Sequence, residues 1–229
     1  DVVTLALLFA LKGVGPRAFY RWLTRDYRPL FPKLPERTRL FRLFATHRDW
    51  ADSFLAQPTG LGVADSYGIA LVHPMREGHS ARQLGRTGKS NHRWISGGKW
   101  AYVVNHLGLI VAWDCGSANG HESAFHDLIA DVQDDMVVVT DTGFHAKAGD
   151  PPTMKPCKRG VWTVRMVIET VLAMVTTICH FKHVSHRTWA PFLARLACTM
   201  ALFNVLVQWD GVQPDEDGVI HLSIAEFSL

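Results

Sequence analysis

Three acidic residues stand at positions that are unusual for acids. Asp65 interrupts an apolar segment, Asp141 follows the run VVVT (137–140), and Glu169 lies inside the apolar segment WTVRMVIETVLAMVT (162–176). Strand interiors disfavour Asp, and an ionised carboxylate among apolar side chains is costly unless it is paired or binds a metal. Mg²⁺ takes hard oxygen ligands such as carboxylates. Three acids from separate elements could therefore hold two metal ions that cleave a phosphodiester bond.

Each acid also has a simpler explanation. Asp65 followed by Ser66 is compatible with a bulge or a turn, and Asp141 with a turn that ends a strand. Glu169 could be paired with Arg165, one helical turn before it. The metal hypothesis therefore depends on the three acids together and on the order of the elements that carry them.

The apolar pattern predicts which elements position these acids. Residues 2–56 have helical periodicity interrupted by prolines, and the turn QPTG (57–60) follows. The remaining predictions are strands over 61–73, 99–106, 109–116 and 135–143, a helix over 121–132 capped by Asn119, an irregular segment over 150–160, and apolar helices over about 161–182 and 188–209. Three leading strands, a crossover helix and a fourth strand describe an RNase H-like α/β sheet with flanking helices. We therefore predict a helical, basic region over 1–56 and an RNase H-like domain over 57–229.

Charge is distributed unevenly along the chain. Residues 12–48 contain ten Lys or Arg against two acids, residues 76–99 contain six against one acid, and residues 210–229 contain five acids and no base. This segregation favours an anionic partner such as nucleic acid. A solvated basic surface without a partner is the alternative.

Two further features bear on the location of the protein. The four cysteines form no Cys-x-x-Cys pair and three lie in apolar runs, which indicates buried thiols in a reducing compartment. The segment 189–209 is long enough to span a membrane, and a membrane-associated helical protein is an alternative on that ground. Arg195 inside the segment favours a core helix instead.

Trp162, Arg165, Glu169 and Thr176 follow one another at offsets of three, four and seven residues, which predicts that all four lie on one stripe of a helix. With this pattern the sequence resembles the DDE transposases of bacterial insertion sequences. That family carries Tyr, two residues, Arg, three residues, Glu, six residues and Lys around its last catalytic acid. The matching positions here are Trp162, Arg165, Glu169 and Thr176. Four further segments resemble elements of the family in the same order. DSYGIALVH (65–73) resembles the first Asp strand, and GKSNHRWISGGKWAYVVNHLGLIVAW (88–113) resembles the Gly-Lys-Ser loop with its hairpin. GSANGHESAF (116–125) resembles the element before the crossover helix, and VVTDTGFHAK (138–147) resembles the second Asp element. The resemblance covers about residues 60–209 and is closest to the subgroup with the Gly-Lys-Ser loop.

The resemblance implies an enzyme in which Asp65, Asp141 and Glu169 hold two Mg²⁺ ions, with Mn²⁺ as a substitute. It implies cleavage of DNA at the terminal inverted repeats of a transposon, followed by attack of the freed 3′ hydroxyl on target DNA. A homodimer on DNA, in the bacterial cytoplasm with the nucleoid and without a membrane partner, is expected. The residues expected to contact DNA are Trp162, Arg165, Lys89, Arg86, Arg93, Lys99, Arg37 and Arg39.

Two departures from the family pattern keep other functions open. Thr176 stands where the family has Lys, and only 27 residues separate Asp141 from Glu169. One alternative is an inactive or truncated transposase that only binds DNA. The other is a different metal-dependent nuclease of RNase H-like fold.

Overall fold

The computed structural model describes residues 1–229 apart from 82, 91–92, 159–164, 182–183, 185, 212–215, 217–220 and 228–229. It is a mixed α/β structure built on a six-stranded sheet. The strands are β1 (Leu61–Val72), β2 (Thr87–Ser90), β3 (Arg93–Asn105), β4 (Ile110–Ser117), β5 (Val137–Thr140) and β6 (Met154–Pro156). The α-helices are α1 (Val2–Lys12), α2 (Pro16–Asp26), α3 (Arg37–Thr46), α4 (His126–Ala130), α5 (Arg165–Thr177) and α6 (Trp189–Asp210).

The long strand β1 organises the sheet. It pairs antiparallel with β3 over most of its length and parallel with β5 at its start. The other edge of β3 carries β2 beside its first residues and β4 beside its later ones, and β6 adds in parallel to β5. Parallel pairing needs a crossover connection, and α4 lies in the connection from β4 to β5.

The three leading strands, the fourth strand and the two apolar helices are confirmed. β3 begins at Arg93, earlier than predicted, because its first residues form a hairpin with β2. Two local predictions are wrong. The segment predicted to be irregular contains β6, which pairs with β5. The helix expected from residue 121 begins as the 3-10 helix Glu122–Phe125, and its cap is the side chain of His121 and not Asn119.

Alternation along the strands divides the core into two clusters, one on each face of the sheet. Val63, Tyr67 and Tyr102 belong to the larger cluster, which includes apolar residues of α1, α5 and α6. Ala64 and Ala101 belong to the smaller cluster, which packs on α4. The face that Asp65 shares with Val63 and Tyr67 is therefore the face covered by α5.

The helices of residues 1–56 share the larger core cluster with the sheet. Arg195 of α6 is 5% exposed, and its guanidinium donates to the carbonyl oxygens of Phe9 at 2.6 Å and Ala10 at 2.9 Å. These carbonyls belong to the last turn of α1, where no intrahelical N–H is left to bond them. Arg195 thus fastens α1 to α6.

Helix α6 is the interior helix predicted from its arginine. Within the described residues, Trp189–Trp209 is the one unbroken helix long and apolar enough to cross a membrane by length and composition. In the structure, 78% of its most apolar window is buried against the rest of the chain. Asn204, also buried, bonds the backbone of Ile110 and Phe54. The side chains of Arg195 and Asn204 are thus paired inside the protein.

Candidate active site

Asp65 and Asp141 lie on neighbouring parallel strands. Val63 of β1 is paired with Val139 of β5. Side chains alternate between the two faces of a sheet, so the next residues on the same face of these strands are Asp65 and, directly after β5, Asp141. The pairing of β1 with β5 thus brings together two acids that are far apart in the sequence.

Local hydrogen bonds orient both carboxylates. Asp65 Oδ1 accepts from the backbone N–H of Ser66 at 2.7 Å, and Asp141 Oδ1 accepts from that of Gly143 at 2.9 Å. Asp141 thereby caps the short 3-10 helix Thr142–Phe144. His126 of α4 supports this turn, since its Nε2 lies 2.6 Å from the carbonyl oxygen of Phe144. The second acid therefore sits in a turn that is braced from α4.

Tyr102 connects Asp65 with the helix that carries Glu169. Tyr102 lies opposite Asp65 in the pairing of β1 with β3 and is fully buried. Its hydroxyl donates to the carbonyl oxygen of Ile168 in α5 at 3.3 Å. Burial raises the pKa of Tyr102 well above its ordinary value, and the negative charges of Asp65 and Glu169 raise it further. Both carboxylates therefore lie within electrostatic range of one phenol.

Glu169 is exposed, so the cost of a buried carboxylate does not arise. Ile168 and Val171 of α5 are fully buried against the sheet. The opposite side of the helix faces solvent with Met166, Glu169 and Thr170. An acid is tolerated inside this apolar segment because only one side of α5 packs on the sheet.

A cleft of about 530 Å³ separates α5 from the middle of β1. Glu169, Thr176 and Arg93 line it together with residues 67–70 of β1. Thr176, where the resembling family has Lys, is 5% exposed, and its hydroxyl donates to the carbonyl oxygen of Ala173 at 3.1 Å. Arg93 supplies a positive charge to the same cleft as Glu169, from the β2–β3 hairpin.

The other candidate DNA contacts differ in their surroundings. Lys89 and Arg86 are exposed on or beside the β2–β3 hairpin, and Arg39 is exposed on α3, where Arg37 is half-buried. Trp162 lies outside the described residues, as does the side chain of Arg165. The predicted stripe of Trp162, Arg165, Glu169 and Thr176 is therefore described only at its last two positions.

Lys99 requires a correction. The sequence suggested that its ammonium group contacts DNA, but the residue is 8% exposed. Its Nζ donates to the carbonyl oxygen of Gly120 at 2.7 Å. The side chain thus supports the loop between β4 and α4 from inside and does not present its charge to a phosphate.

Glu122 is the residue that the sequence analysis missed. Its Oε1 accepts from the hydroxyl of Ser66, next to Asp65, at 2.6 Å. A Cβ atom on Gly143 would collide with Glu122 Oε2 and would lie 3.0 Å from Asp141 Oδ1. Glu122 therefore contacts the neighbours of both aspartates. The signal available in the sequence was the segment GSANGHESAF, which contains Glu122 and resembles the family's element before the crossover helix.

Carboxylate oxygens are suitable ligands for Mg²⁺, but the described carboxylates are not gathered into a complete metal site. Within the part of the chain that the structure describes, no three His, Cys, Asp or Glu side chains are close enough together to enclose a metal ion. Asp65 and Asp141 offer hard oxygen ligands from adjacent strands, which fits a cation that uses a few carboxylates together with water and phosphate. Glu169 affects the same phenol as Asp65, but it forms no group of three metal-binding side chains with the two aspartates among the described residues.

Comparison with protein-family models gives no match for this chain. Comparison with the sequences of curated proteins gives none either.

Proposed function

We propose that the protein is a DDE transposase with an RNase H-like catalytic region, which cuts the ends of a transposon and joins them to target DNA. The observation that supports this most is the pairing of β1 with β5, which places Asp65 and Asp141 next to each other on one face. The strand order also supports it: β1, β3 and β4 pair antiparallel, with the short β2 added to the edge of β3, and a crossover helix then leads to β5, which is parallel to β1.

Asp65, Asp141 and Glu169 are the residues that would hold Mg²⁺, or Mn²⁺ in its place. When bound, the metal ions neutralise the scissile phosphate and lower the pKa of the attacking water. The need for a cation follows from the charges: a phosphate approaching Asp65 and Asp141 meets like charge, and the repulsion is strong at short distance. Arg93, across the cleft from Glu169, orients the DNA strand by contacting a phosphate.

The basic residues of two regions would hold the DNA on either side of this site. Lys89 and Arg86 lie on or beside the β2–β3 hairpin, and Arg37 and Arg39 lie on α3. Phosphate contacts of this kind fix the position of the duplex without reading its sequence. The terminal inverted repeats and the target DNA are the proposed substrates. Since two ends must be joined, a homodimer acting in the bacterial cytoplasm is the proposed working form.

Nicking of a supercoiled plasmid that carries candidate transposon ends tests the proposal. Wild-type protein is compared with Glu169→Gln, which removes one metal-binding charge, and with Thr170→Ala, an exposed change on the same helix. We expect nicking with Mg²⁺ and none with EDTA. Glu169→Gln should lose about 100-fold or more of the rate, as expected for loss of charge stabilisation at a reacting centre, and Thr170→Ala should retain it. Equal nicking by wild type and Glu169→Gln would remove Glu169 from the site.

A second candidate is a DNA-binding protein of the same fold that no longer cuts. The observation that favours it is that the described residues contain no ready group of three metal-binding side chains. Such a protein would bind duplex DNA with a steep salt dependence. It would leave the plasmid intact at every concentration of Mg²⁺ or Mn²⁺, which separates it from the transposase.

A further inference from the structure

A cleft lined by four arginines lies away from the acidic residues. Its cavity has a volume of about 770 Å³. Arg17 and Arg21 come from α2, Arg37 from the start of α3, and Arg187 from the segment before α6. The remaining lining is small, with Gly15, Pro16 and Ala18. The chain thus brings basic residues from its N-terminal helices together with one from its C-terminal half, and we call this the arginine cleft.

The charge of the arginine cleft is not balanced by its own lining. Among the described residues, no acid lines it. Glu36, the neighbour of Arg37, turns its carboxylate onto α3, where it accepts from the backbone N–H groups of Thr38 and Arg39. Arg25, one turn after Arg21, differs because it is paired with Asp26 at 2.6 Å. Several like charges gathered in one concave surface raise the local potential and attract an anionic partner.

We infer that the arginine cleft binds the phosphate backbone of double-stranded DNA. Grooves for single strands combine positive charge with aromatic side chains on which the bases stack. No aromatic residue is present in the described lining of this cleft. Arginine is well suited to phosphate, because its planar guanidinium can donate two parallel hydrogen bonds. The small side chains between the arginines leave room for a backbone to approach.

The segment that follows α5 links the two clefts along the chain. Phe181, after the end of α5, lines the cleft that contains Glu169, whereas Arg187, a few residues later, lines the arginine cleft. Gly13, in the turn before α2, lies so close to His180 that a Cβ atom there would collide with the imidazole. The N-terminal helices that carry Arg17 and Arg21 therefore pack against this same segment.

The inference extends the proposed function but does not require that the protein cuts DNA. Binding is therefore measured without metal, by fluorescence anisotropy of a labelled 25-base-pair duplex in EDTA over a series of salt concentrations. Arg21→Gln and Arg187→Gln change the arginine cleft. Arg25→Gln and Arg48→Gln are matched controls, since each also removes one positive charge but from an arginine with an acidic neighbour, Asp26 or Asp49.

We expect each cleft variant to weaken duplex binding about fivefold near 0.15 M salt and to lower the salt slope by about one. The controls should stay within about twofold of wild type. Equal losses in all four variants would overturn the inference, because binding would then follow net charge and not the cleft. Absence of duplex binding, or equally tight cleft-dependent binding of a single strand of the same length, would overturn it as well.

The binding experiment and the nicking assay test different claims, so a negative result in one does not contradict the other claim. A protein that binds DNA through the arginine cleft but never nicks it contradicts only the proposed chemistry. A protein that nicks DNA but binds equally well with and without Arg21 and Arg187 contradicts only the cleft. Thermal melting of each variant confirms that the fold is retained, as expected for changes at exposed arginines.

Discussion

Replacement of Glu122 by alanine tests whether the two aspartates are held in place from the 3-10 helix Glu122–Phe125. The hydrogen bond from the hydroxyl of Ser66 to Glu122 Oε1 is 2.6 Å long, and a bond to an ionised carboxylate contributes about 1.5–3 kcal/mol. If that energy serves to align Asp65 and Asp141 for reaction, its loss slows cleavage about 10- to 100-fold, because each 1.4 kcal/mol is a factor of ten. Outer-shell partners of metal ligands have effects of similar size.

Two matched variants separate a positioning role from a role of the charge itself. Glu122→Gln keeps an acceptor oxygen for Ser66, so we expect a rate within about threefold of wild type, given the modest difference between neutral and charged hydrogen bonds. Gly143→Ala keeps Glu122 but places a Cβ where Glu122 Oε2 now lies. It should therefore slow cleavage about as much as Glu122→Ala.

The assay is single-turnover cleavage of a labelled DNA end at saturating protein, with duplex affinity measured in parallel. Affinity should be unchanged in all three variants, since Glu122 faces Ser66 and Gly143 and not the basic surface. Cleavage by Glu122→Ala at the wild-type rate would refute the reasoning. Equal damage in Glu122→Gln and Glu122→Ala would refute it too, because the hydrogen-bond acceptor would then be irrelevant.

Three further predictions concern buried polar groups. Arg195→Met leaves two carbonyl groups of α1 without their donor, so the free energy of unfolding in urea should fall by about 2–6 kcal/mol, at about 1–3 kcal/mol for each unpaired acceptor; a loss below about 1 kcal/mol would contradict this role of Arg195. Burial, with a contribution from the charge of Arg195, lowers the pKa of His186 to about 4. Between about pH 6.5 and 4 the unfolded state then binds a proton that the folded state does not bind, so stability is full above this window and is lost as pH falls through it, by roughly 3 kcal/mol; His186→Phe should flatten that slope in denaturation at several pH values. Lys99→Met should lower the free energy of unfolding by about 1–3 kcal/mol, because it leaves the Gly120 carbonyl unpaired, and should leave duplex affinity unchanged. A loss of affinity without a loss of stability would show instead that Lys99 contacts DNA.

The sequence was sufficient to predict the strands that carry the two aspartates. β1 and β5 are continuous or alternating apolar runs, and local periodicity is enough to find them. The adjacency of Asp65 and Asp141 was expected only from the family resemblance, because a crossover helix permits parallel pairing but does not specify that β5 joins β1. The core helix α6 was also predictable, since its length and composition indicate an apolar helix and Arg195 within it favours burial in the protein over a membrane span.

What the sequence did not show depends on contacts between distant segments. β6 has only three residues, two of them polar or proline, and exists because it pairs with β5. Lys99 looks like any basic strand residue until its partner, the carbonyl oxygen of Gly120, is placed. Glu122 has no periodic signal, and its position beside Ser66 and Gly143 arises only after β1 and β5 have paired. Local patterns carry no information about such contacts.

The most direct test of the proposed chemistry is a double-mutant cycle on the two aspartates in the Mg²⁺-dependent cleavage assay. Residues that act as one catalytic unit are strongly non-additive. We therefore expect Asp65→Asn, Asp141→Asn and the double variant to cleave at one shared residual rate, at least about 1,000-fold below wild type, with duplex binding intact. Wild-type cleavage by either single variant, or effects that add independently in the double variant, would contradict a shared metal site formed by Asp65 and Asp141.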